Sequence, residues 1–215
     1  MVVNRYSNTS TNKNRLIVSG LTIWFVGVIA GWAMLTRYST AACSLGEINR
    51  DWPVDIPLSL TPDTAVMMFA HPQCPCTRAS ITELERLMMT TNRRATVVFW
   101  QPNRKVLAAD VLASWTENEL VQLATDSDHL KVHFDTDDRL ANAFDAETSG
   151  LCVIHSLDGR VLFRGGITPS RGHEGSSSAQ RTMAKCIEQI GQASSLRKPT
   201  EQLATEIFPV FGCQI

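Results

Sequence analysis

The chain has 215 residues, of which 44% are hydrophobic and 19% charged, and its formal net charge is −1 at pH 7. This is the composition of an ordinary globular protein, long enough for one domain and an accessory segment. Because the charge is nearly balanced, the sequence gives no indication of a nucleic-acid partner or of a strongly acidic one.

The N-terminal region has the pattern of a membrane anchor. Residues 1–15 are polar, carry three basic residues and no acid, and are expected to be a disordered cytoplasmic tail. The next twenty residues, 16–35, contain no charge. A helix of that length rises about 30 Å, so we predict a single transmembrane helix over residues 16–36. Only Arg37 closely follows the span, so the positive-inside rule predicts a periplasmic domain tethered to the inner membrane.

Two alternatives concern the end of this span. A cleaved signal peptide would use Ser39-Thr40-Ala41 as its small-residue site, but signal peptides have shorter apolar regions of roughly 7–15 residues, which favours the anchor. Cys43 could be a lipoprotein cysteine, but Thr40 stands where a large aliphatic residue is expected, which favours an unremarkable cysteine in a linker over residues 37–51. All of these interpretations place the domain outside the cytoplasm.

The domain is predicted to cover residues 52–192. Three prolines make residues 52–64 extended, with an edge strand at 56–60. The apolar residues 65–70 read as a buried strand, and an amphipathic helix follows the sequence HPQCPCTRAS at residues 71–80. Two cysteines with one proline between them therefore lie on a strand-to-helix turn.

The residue types on this turn predict a reactive dithiol. Pro75 suits the first helical position, which would make Cys74 the N-cap, exposed and facing free backbone N–H groups that favour a thiolate. Cys74 is the candidate nucleophile and Cys76 the candidate resolving thiol. Their Cα atoms would be roughly 5.5 Å apart, close enough for a strained and therefore labile disulfide.

The rest of the domain alternates between strands and helices. Strands are predicted at residues 95–100, 131–134, 150–155 and 161–164, and helices at 110–125, 137–144 and 179–192. The first two strands and the helix between them make a parallel βαβ unit, and Asp158-Gly159 predicts a hairpin. Residues 193–215 end in a segment too apolar for a free tail, which we expect to pack on the domain.

Three segments resemble a known family. The sequence HPQCPCTRAS at residues 71–80, GGITPSRGHEG at 165–175 and VFGC at 210–213 are similar to the RedB-type group of bacterial membrane-tethered thioredoxin-like proteins. The resemblance covers roughly residues 60–215. It implies an α/β fold: a thioredoxin-like three-layer α/β/α sandwich with a mixed central sheet, following the N-terminal transmembrane helix.

The resemblance also implies how a substrate would be held. In the thioredoxin pattern a cis-proline enters the strand beside the active site and holds the substrate in β-like pairing, whereas this chain has Thr148-Ser149-Gly150 there. We expect a trans peptide at Gly150, since a non-proline cis bond costs roughly 2.5–4 kcal/mol. The implied partner is a cysteine-containing protein substrate or a membrane redox partner.

Further candidate residues surround the motif. His71 could stabilise the Cys74 thiolate or only end the strand. Cys213 is expected to be a plain tail thiol or part of a structural bridge, but it could resolve a mixed disulfide if the tail folds over the motif. Cys152 and Cys186 are expected to be buried as small apolar residues. The loop residues Arg171, His173 and Glu174 could cover the site, but they are more often expected to be solvated.

Three functions fit these residues. The first is a thiol-disulfide oxidoreductase that needs no cofactor and uses Cys74 and Cys76. The second is the binding of a soft ion such as copper by Cys74, Cys76 and His71, with Cys213 as a further ligand. The third is a docking platform without turnover. The sequence fixes neither the direction of electron flow nor the oligomeric state.

Overall fold

A computed structural model describes residues 8–46, 51–102, 109–193 and 205–215. The chain divides into two compact units, Met1–Ala41 and Ala42–Ile215. The first unit is one long helix, and the second is the globular domain.

The first helix is longer than the sequence predicts. Helix α1 spans Asn8–Thr40, and its segment Lys13–Thr40 is long and apolar enough to cross a membrane. The expectation of a disordered tail is wrong for residues 8–15, and the expected linker begins after Thr40. No proline or glycine interrupts residues 8–15, and adding residues to an existing helix costs little, so the helix continues beyond the apolar run.

The globular unit is built of strands and helices in alternation. Its described strands are β1 (Val66–Ala70), β2 (Ala95–Trp100), β3 (Leu130–Asp135), β4 (Leu151–His155), β5 (Val161–Gly166) and β6 (Glu206–Ile207). Its described helices are α2 (Thr77–Thr91), α3 (Ala109–Thr116), α4 (Glu119–Thr125), α5 (Arg139–Ala143) and α6 (Ser178–Ala193). β1 to β5 confirm the five predicted strands of the domain interior to within two residues at either end.

The strands form one mixed sheet in the order β3-β2-β1-β4-β5-β6. β1, β2 and β3 are parallel, β4 is antiparallel to both β1 and β5, and β6 is parallel to β5. A parallel β1-α2-β2 unit is therefore joined to an antiparallel β4-β5 hairpin that is followed by α6. This arrangement confirms the predicted thioredoxin-like α/β sandwich.

The core lies in two layers, one on each face of the sheet. Alternate residues of β1 serve the two layers, so that Met68 packs with α2, α4 and α6, whereas Phe69 packs with α5 and the segment around Trp52. Helices thus cover both faces. β1 is the third strand in the order of the sheet and is buried along its whole length. The turn that follows it therefore lies in the middle of one end of the sheet.

Two local predictions are wrong. The single helix expected at residues 110–125 is two helices, because Asn118 caps α4: its Oδ1 accepts hydrogen bonds from the N–H groups of Leu120 and Val121, both at 3.0 Å. Residues 56–60 form no strand, in keeping with the prolines around them. The short strand β6 in the tail was not predicted.

A buried arginine ties the start of the domain to the sheet. Arg164 on β5 is 2% exposed. Its guanidinium donates to three backbone carbonyls: to Leu45 with Nε at 3.0 Å, to Phe144 at 2.8 Å and to Asp145 at 2.7 Å. Burial lowers the pKa of Arg164, and the nearby Asp145 and Glu147 oppose that shift. The segment that carries Cys43 is therefore held against the sheet by a buried charge.

We predict that Arg164→Met lowers the free energy of unfolding by about 3 kcal/mol, because three buried or partly buried carbonyls lose their donor. Arg160→Met is the matched control, since Arg160 lies in the same hairpin and forms an exposed ion pair with Asp158. It should cost less than about 1 kcal/mol. Urea unfolding of the full chain measures both values, and equal losses would contradict the assigned role of Arg164.

A buried histidine makes stability depend on pH. His155 is 1% exposed, and burial, with a smaller effect of Arg164, lowers its pKa from 6.5 to about 4. Its neutral form is therefore favoured in the folded state. Because the unfolded chain binds the proton more readily, stability should be complete above pH 6.5 and fall as the pH drops towards 4, by up to about 3 kcal/mol.

The test compares urea unfolding of wild type and His155→Leu from pH 7.5 to 4. His155→Leu removes the titrating group and keeps an apolar side chain between Trp52 and Phe144, which contact the imidazole ring. The stability difference between the two proteins should shift in favour of His155→Leu as the pH falls. A difference that does not change with pH would refute the effect.

Candidate functional site

The two motif cysteines lie on the turn between β1 and α2, but the helix begins later than expected. Cys76, not Cys74, is the N-cap of α2, and its side chain makes no capping hydrogen bond. Cys74 lies in a preceding turn in which its N–H donates to His71 O at 3.1 Å and its carbonyl accepts from Thr77 N at 3.0 Å. The prediction of Cys74 as N-cap is wrong because this extra turn precedes the helix.

The sulfur of Cys74 is buried and surrounded by donors. Cys74 is 1% exposed, whereas the sequence predicts an exposed thiol. Its Sγ lies 2.7 Å from Cys213 Sγ. Burial raises the pKa of Cys74, but hydrogen bonds from the Cys213 thiol, the Thr77 hydroxyl and the backbone of Cys213 and Cys76 outweigh it, so that the pKa is lowered. Neighbouring donors, rather than a helix N-terminus, favour the thiolate.

The two neighbouring thiols have the opposite tendency. Burial, followed by the charge of Cys74 and the hydrogen bond to it, raises the pKa of Cys76. Burial, followed by the hydrogen bond to Cys74 and its charge, raises the pKa of Cys213 to about 12. Arg171 acts in the other direction on both thiols. Cys74, Cys76 and Cys213 thus form a thiol cluster. It favours one thiolate at Cys74, flanked by the protonated thiols of Cys76 and Cys213.

The C-terminal tail covers Cys74. Ser149 N donates to Cys213 O at 2.8 Å, and Ile215 N donates to Glu147 O at 2.9 Å, so the tail pairs antiparallel with the residues that enter β4. A Cβ added at Gly212 would lie 1.8 Å from Ser149 O. Only glycine permits this approach, which brings the next residue, Cys213, to the motif. The described part of the tail, residues 205–215, is packed on the domain as the sequence predicts, and residues 194–204 of the predicted tail lie outside the described residues.

Gly150 lies at the entrance of β4. Its φ is +89°, its N–H donates to Phe69 O at 2.7 Å, and the Ser149–Gly150 bond is trans. The preceding Ser149 was missed by the sequence analysis. Its Oγ accepts from His71 N at 2.9 Å and lies 2.7 Å from Thr77 Oγ1, so one hydroxyl joins β4 to the motif turn. An isolated serine gives no sequence signal for such a role.

His71 packs its ring against two tryptophans. Its ring stacks on Trp100 with centroids 5.5 Å apart and meets Trp115 edge-on at 5.2 Å, while Nδ1 accepts from Gln73 N at 3.2 Å. Burial lowers the pKa of His71, which favours the neutral ring. Among the described residues, the groups that shift the pKa of Cys74 do not include the imidazole. His71 contributes its backbone to the turn instead.

Two further residues, for which the sequence predicts no special role, extend this thiol cluster. Cys43 Sγ donates to Gly212 O at 3.3 Å, and Arg171 Nη2 lies 2.8 Å from Cys43 Sγ. Arg171 Nη1 also donates to Gly212 O. Both residues are half-buried, so the expectations of a plain linker cysteine and a solvated arginine are wrong. Two sequence features could have indicated these contacts. The apolar tail must pack on some surface of the domain, and the loop that carries Arg171 is long enough to contact the tail.

A buried carboxylate holds the loop that carries Arg171. Glu83 on α2 is 1% exposed and accepts from Gly175 N at 2.8 Å and from Gln180 Nε2 at 2.9 Å. The loop from β5 to α6 is therefore attached to the same helix that follows the motif. His173 and Glu174, on the same loop, are exposed as predicted.

The remaining two cysteines lie outside the cluster. Cys152 and Cys186 are buried, and burial raises their pKa values to about 12 and about 11 respectively. Both are inert small residues of the core, which confirms the sequence prediction.

The fold is a mixed α/β sandwich in which several cysteines lie close together at one end of the sheet. No protein-family profile and no curated protein matches the chain. Solved structures do. The chain is similar to a hypothetical protein from Sinorhizobium meliloti 1021, with 13% identity, a TM-score of 0.53 and coverage of 82% of this chain and 97% of the other.

Two further structures are similar to the chain. An uncharacterized conserved protein from Geobacillus kaustophilus has 18% identity, a TM-score of 0.49 and coverage of 82% of this chain and 92% of the other. A thioredoxin-like protein solved in its oxidized form has 11% identity, a TM-score of 0.36 and coverage of 70% of this chain and 99% of the other. Likeness at these identities concerns the fold alone.

We predict that Gly212→Ala exposes Cys74, because the added Cβ cannot coexist with Ser149 O and the tail must move away. Alkylation of Cys74 by iodoacetamide should become at least about tenfold faster, as a buried thiol gains access to solvent. Gln214→Ala is the matched control, since Gln214 is exposed in the same tail. Mass-spectrometric mapping measures the rates, and equal rates in the two variants would contradict coverage by the tail.

Proposed function

We propose that the protein is a thiol-disulfide oxidoreductase in which Cys74 is the nucleophile. The observation that carries this proposal is the convergence of thiol, hydroxyl and backbone donors on the Cys74 sulfur, with the Cys213 sulfur 2.7 Å away. The thiolate is the reactive form of cysteine, and these donors favour it at Cys74, which has the Cys76 and Cys213 thiols beside it.

The reaction is a pair of exchanges. The Cys74 thiolate attacks a disulfide of a partner protein, the partner's S–S bond breaks, and its other sulfur leaves and takes a proton. A second thiol then attacks the Cys74 sulfur of the mixed disulfide, and the partner leaves as a dithiol. Cys76 and Cys213 both hydrogen-bond to Cys74, so either is in reach to resolve the intermediate. Two electrons pass to the partner, and the reverse reaction oxidises it.

The proposal includes a location. Helix α1 has the length and apolarity to cross a membrane. The charge bias predicts an N-terminus in the cytoplasm and a domain in the periplasm, where disulfide exchange with exported proteins takes place. The RedB-type resemblance agrees with this tethered arrangement. The natural electron source would be a membrane redox partner, and the substrate a cysteine-containing protein.

Copper binding by Cys74, Cys76 and His71 has less support. The His71 ring packs on two tryptophans, and among the described residues no group of three or more His, Cys, Asp or Glu side chains is arranged to hold a metal ion. No observation favours a docking platform over exchange. Both remain outcomes of the test.

The test is insulin reduction by the full chain in detergent micelles with dithiothreitol as electron source. We expect Cys74→Ser to reduce the rate above background at least about hundredfold, because the attacking sulfur is lost. Cys186→Ser, in a buried thiol outside the cluster, is the control and should retain the rate.

Equal rates for wild type and Cys74→Ser would refute the proposal. Copper content after dialysis is measured on the same preparations. Stoichiometric copper in an inactive wild type, lost in Cys76→Ser, would establish the metal-binding alternative instead.

A further inference from the structure

We infer that Cys43 is a second exchange thiol, which takes over the disulfide formed between Cys74 and Cys213 and so frees Cys74 for another reaction. This inference rests on the proposed function and extends it to a residue at the start of the globular unit. Its basis is the meeting of three chain segments at one corner: residues 43–46, the loop that carries Arg171, and the C-terminal tail.

The contacts of Cys43 place it beside the peptide group that precedes the residue that it would attack. Cys43 N donates to Val210 O at 2.9 Å, and its Sγ lies 3.3 Å from the carbonyl oxygen of Gly212. That carbonyl belongs to the peptide group that leads directly into Cys213. Thr148 Oγ1 also donates to Ser44 O at 2.8 Å, so the segment is fixed to the same entrance of β4 that the tail covers. Cys43 and Cys213 are therefore held on adjacent backbone segments.

Arg171 is the positioning residue of this arrangement. One nitrogen of its guanidinium lies 2.8 Å from Cys43 Sγ, and the other donates to Gly212 O. A planar guanidinium with fixed donors suits such a bridge better than a flexible ammonium would. The guanidinium therefore contacts both the Cys43 sulfur and the backbone carbonyl before Cys213. Its charge also lowers the pKa of Cys213, against the larger effects that raise it.

The transfer balances without any further oxidant. Cys43 loses its proton to solvent, and its sulfur attacks the Cys213 sulfur of the Cys74–Cys213 disulfide. The Cys43–Cys213 bond forms as the Cys74–Cys213 bond breaks, and the electron pair leaves on Cys74 as a thiolate. Cys43 is oxidised and Cys74 reduced, so the number of disulfides is unchanged.

The direction of the transfer follows from the leaving groups. Thiol exchange is faster when the departing sulfur has the lower pKa. Attack on Cys213 expels Cys74, whose thiolate accepts hydrogen bonds from the Thr77 hydroxyl and from the backbone of Cys213 and Cys76. These donors lower the pKa of Cys74 without requiring the proton of Cys213, which is absent in the disulfide. The disulfide between these two residues is therefore opened most readily by a thiol that attacks Cys213, and the Cys43 sulfur contacts the carbonyl of the residue that precedes Cys213.

The experiment uses the reduced full chain in detergent micelles with the substitution Cys76→Ser, which leaves three thiols in the cluster. The chain is treated with one equivalent of oxidised glutathione, quenched with acid, alkylated and mapped by mass spectrometry. We expect a Cys43–Cys213 disulfide with Cys74 alkylated. Adding Cys43→Ser should leave the disulfide at Cys74–Cys213 and reduce alkylation of Cys74 at least about tenfold.

A positional control adds Ser44→Cys to the Cys43→Ser chain, because Ser44 is exposed and adjacent. It should not restore alkylation of Cys74. Arg171→Gln in the Cys76→Ser chain should lower the yield of the Cys43–Cys213 disulfide, and Arg171→Lys should recover only part of it.

The inference is overturned if Cys43 remains alkylated in every sample in which Cys213 is oxidised. That result is separate from failure of the proposed function, in which Cys74 would not react with oxidised glutathione at all. If the Cys43→Ser chain does not fold, mapping of the chain with Cys76→Ser alone decides the question.

Discussion

The close approach of the C-terminal tail to the entrance of β4 is the constraint on which the site depends. Gly212 lies against Ser149 O, so the tail can follow the backbone of residues 147–149 and bring Cys213 to Cys74. This contact has two effects on the same sulfur. It removes Cys74 from solvent, which disfavours the thiolate, and it supplies the thiol and backbone donors that favour it. The donors prevail, so a buried cysteine keeps a lowered pKa.

Buried charges hold the segments that complete this corner. Arg164 binds the carbonyls around residues 45 and 144–145, and Glu83 binds the loop before α6. An unpaired buried charge is costly, so each of these groups fixes its partners in one arrangement. Neither touches a cluster sulfur in the described contacts. Their role is to position Cys43 and Arg171 from a distance, which links the stability of the domain to the geometry of the thiols.

The sequence predicted the sheet well because its strands are strongly apolar and bounded by clear turns. β2 has the predicted bounds, and Asp158-Gly159 lies in the turn of the β4-β5 hairpin, as expected. The motif cysteines were found because their spacing is distinctive. The contacts of Cys43 and Arg171 with the tail were not predicted, because the tail lies about 170 and 40 residues further along the chain. Local sequence patterns do not show such long-range contacts, and the sequence does not distinguish a half-buried arginine from an exposed one.

The placement of Cys213 changes how the motif itself is understood. In the sequence Cys74 and Cys76 form a self-sufficient pair, whereas in the fold Cys74 has a partner 139 residues away at 2.7 Å. A disulfide to Cys76 would close a short ring, whereas one to Cys213 would close a long loop that the backbone pairing already holds shut. In the proposed exchange the Cys74 sulfur can therefore be resolved either within the motif or by the tail. The tail route differs because its thiol lies next to the segment of Cys43, to which the disulfide can pass.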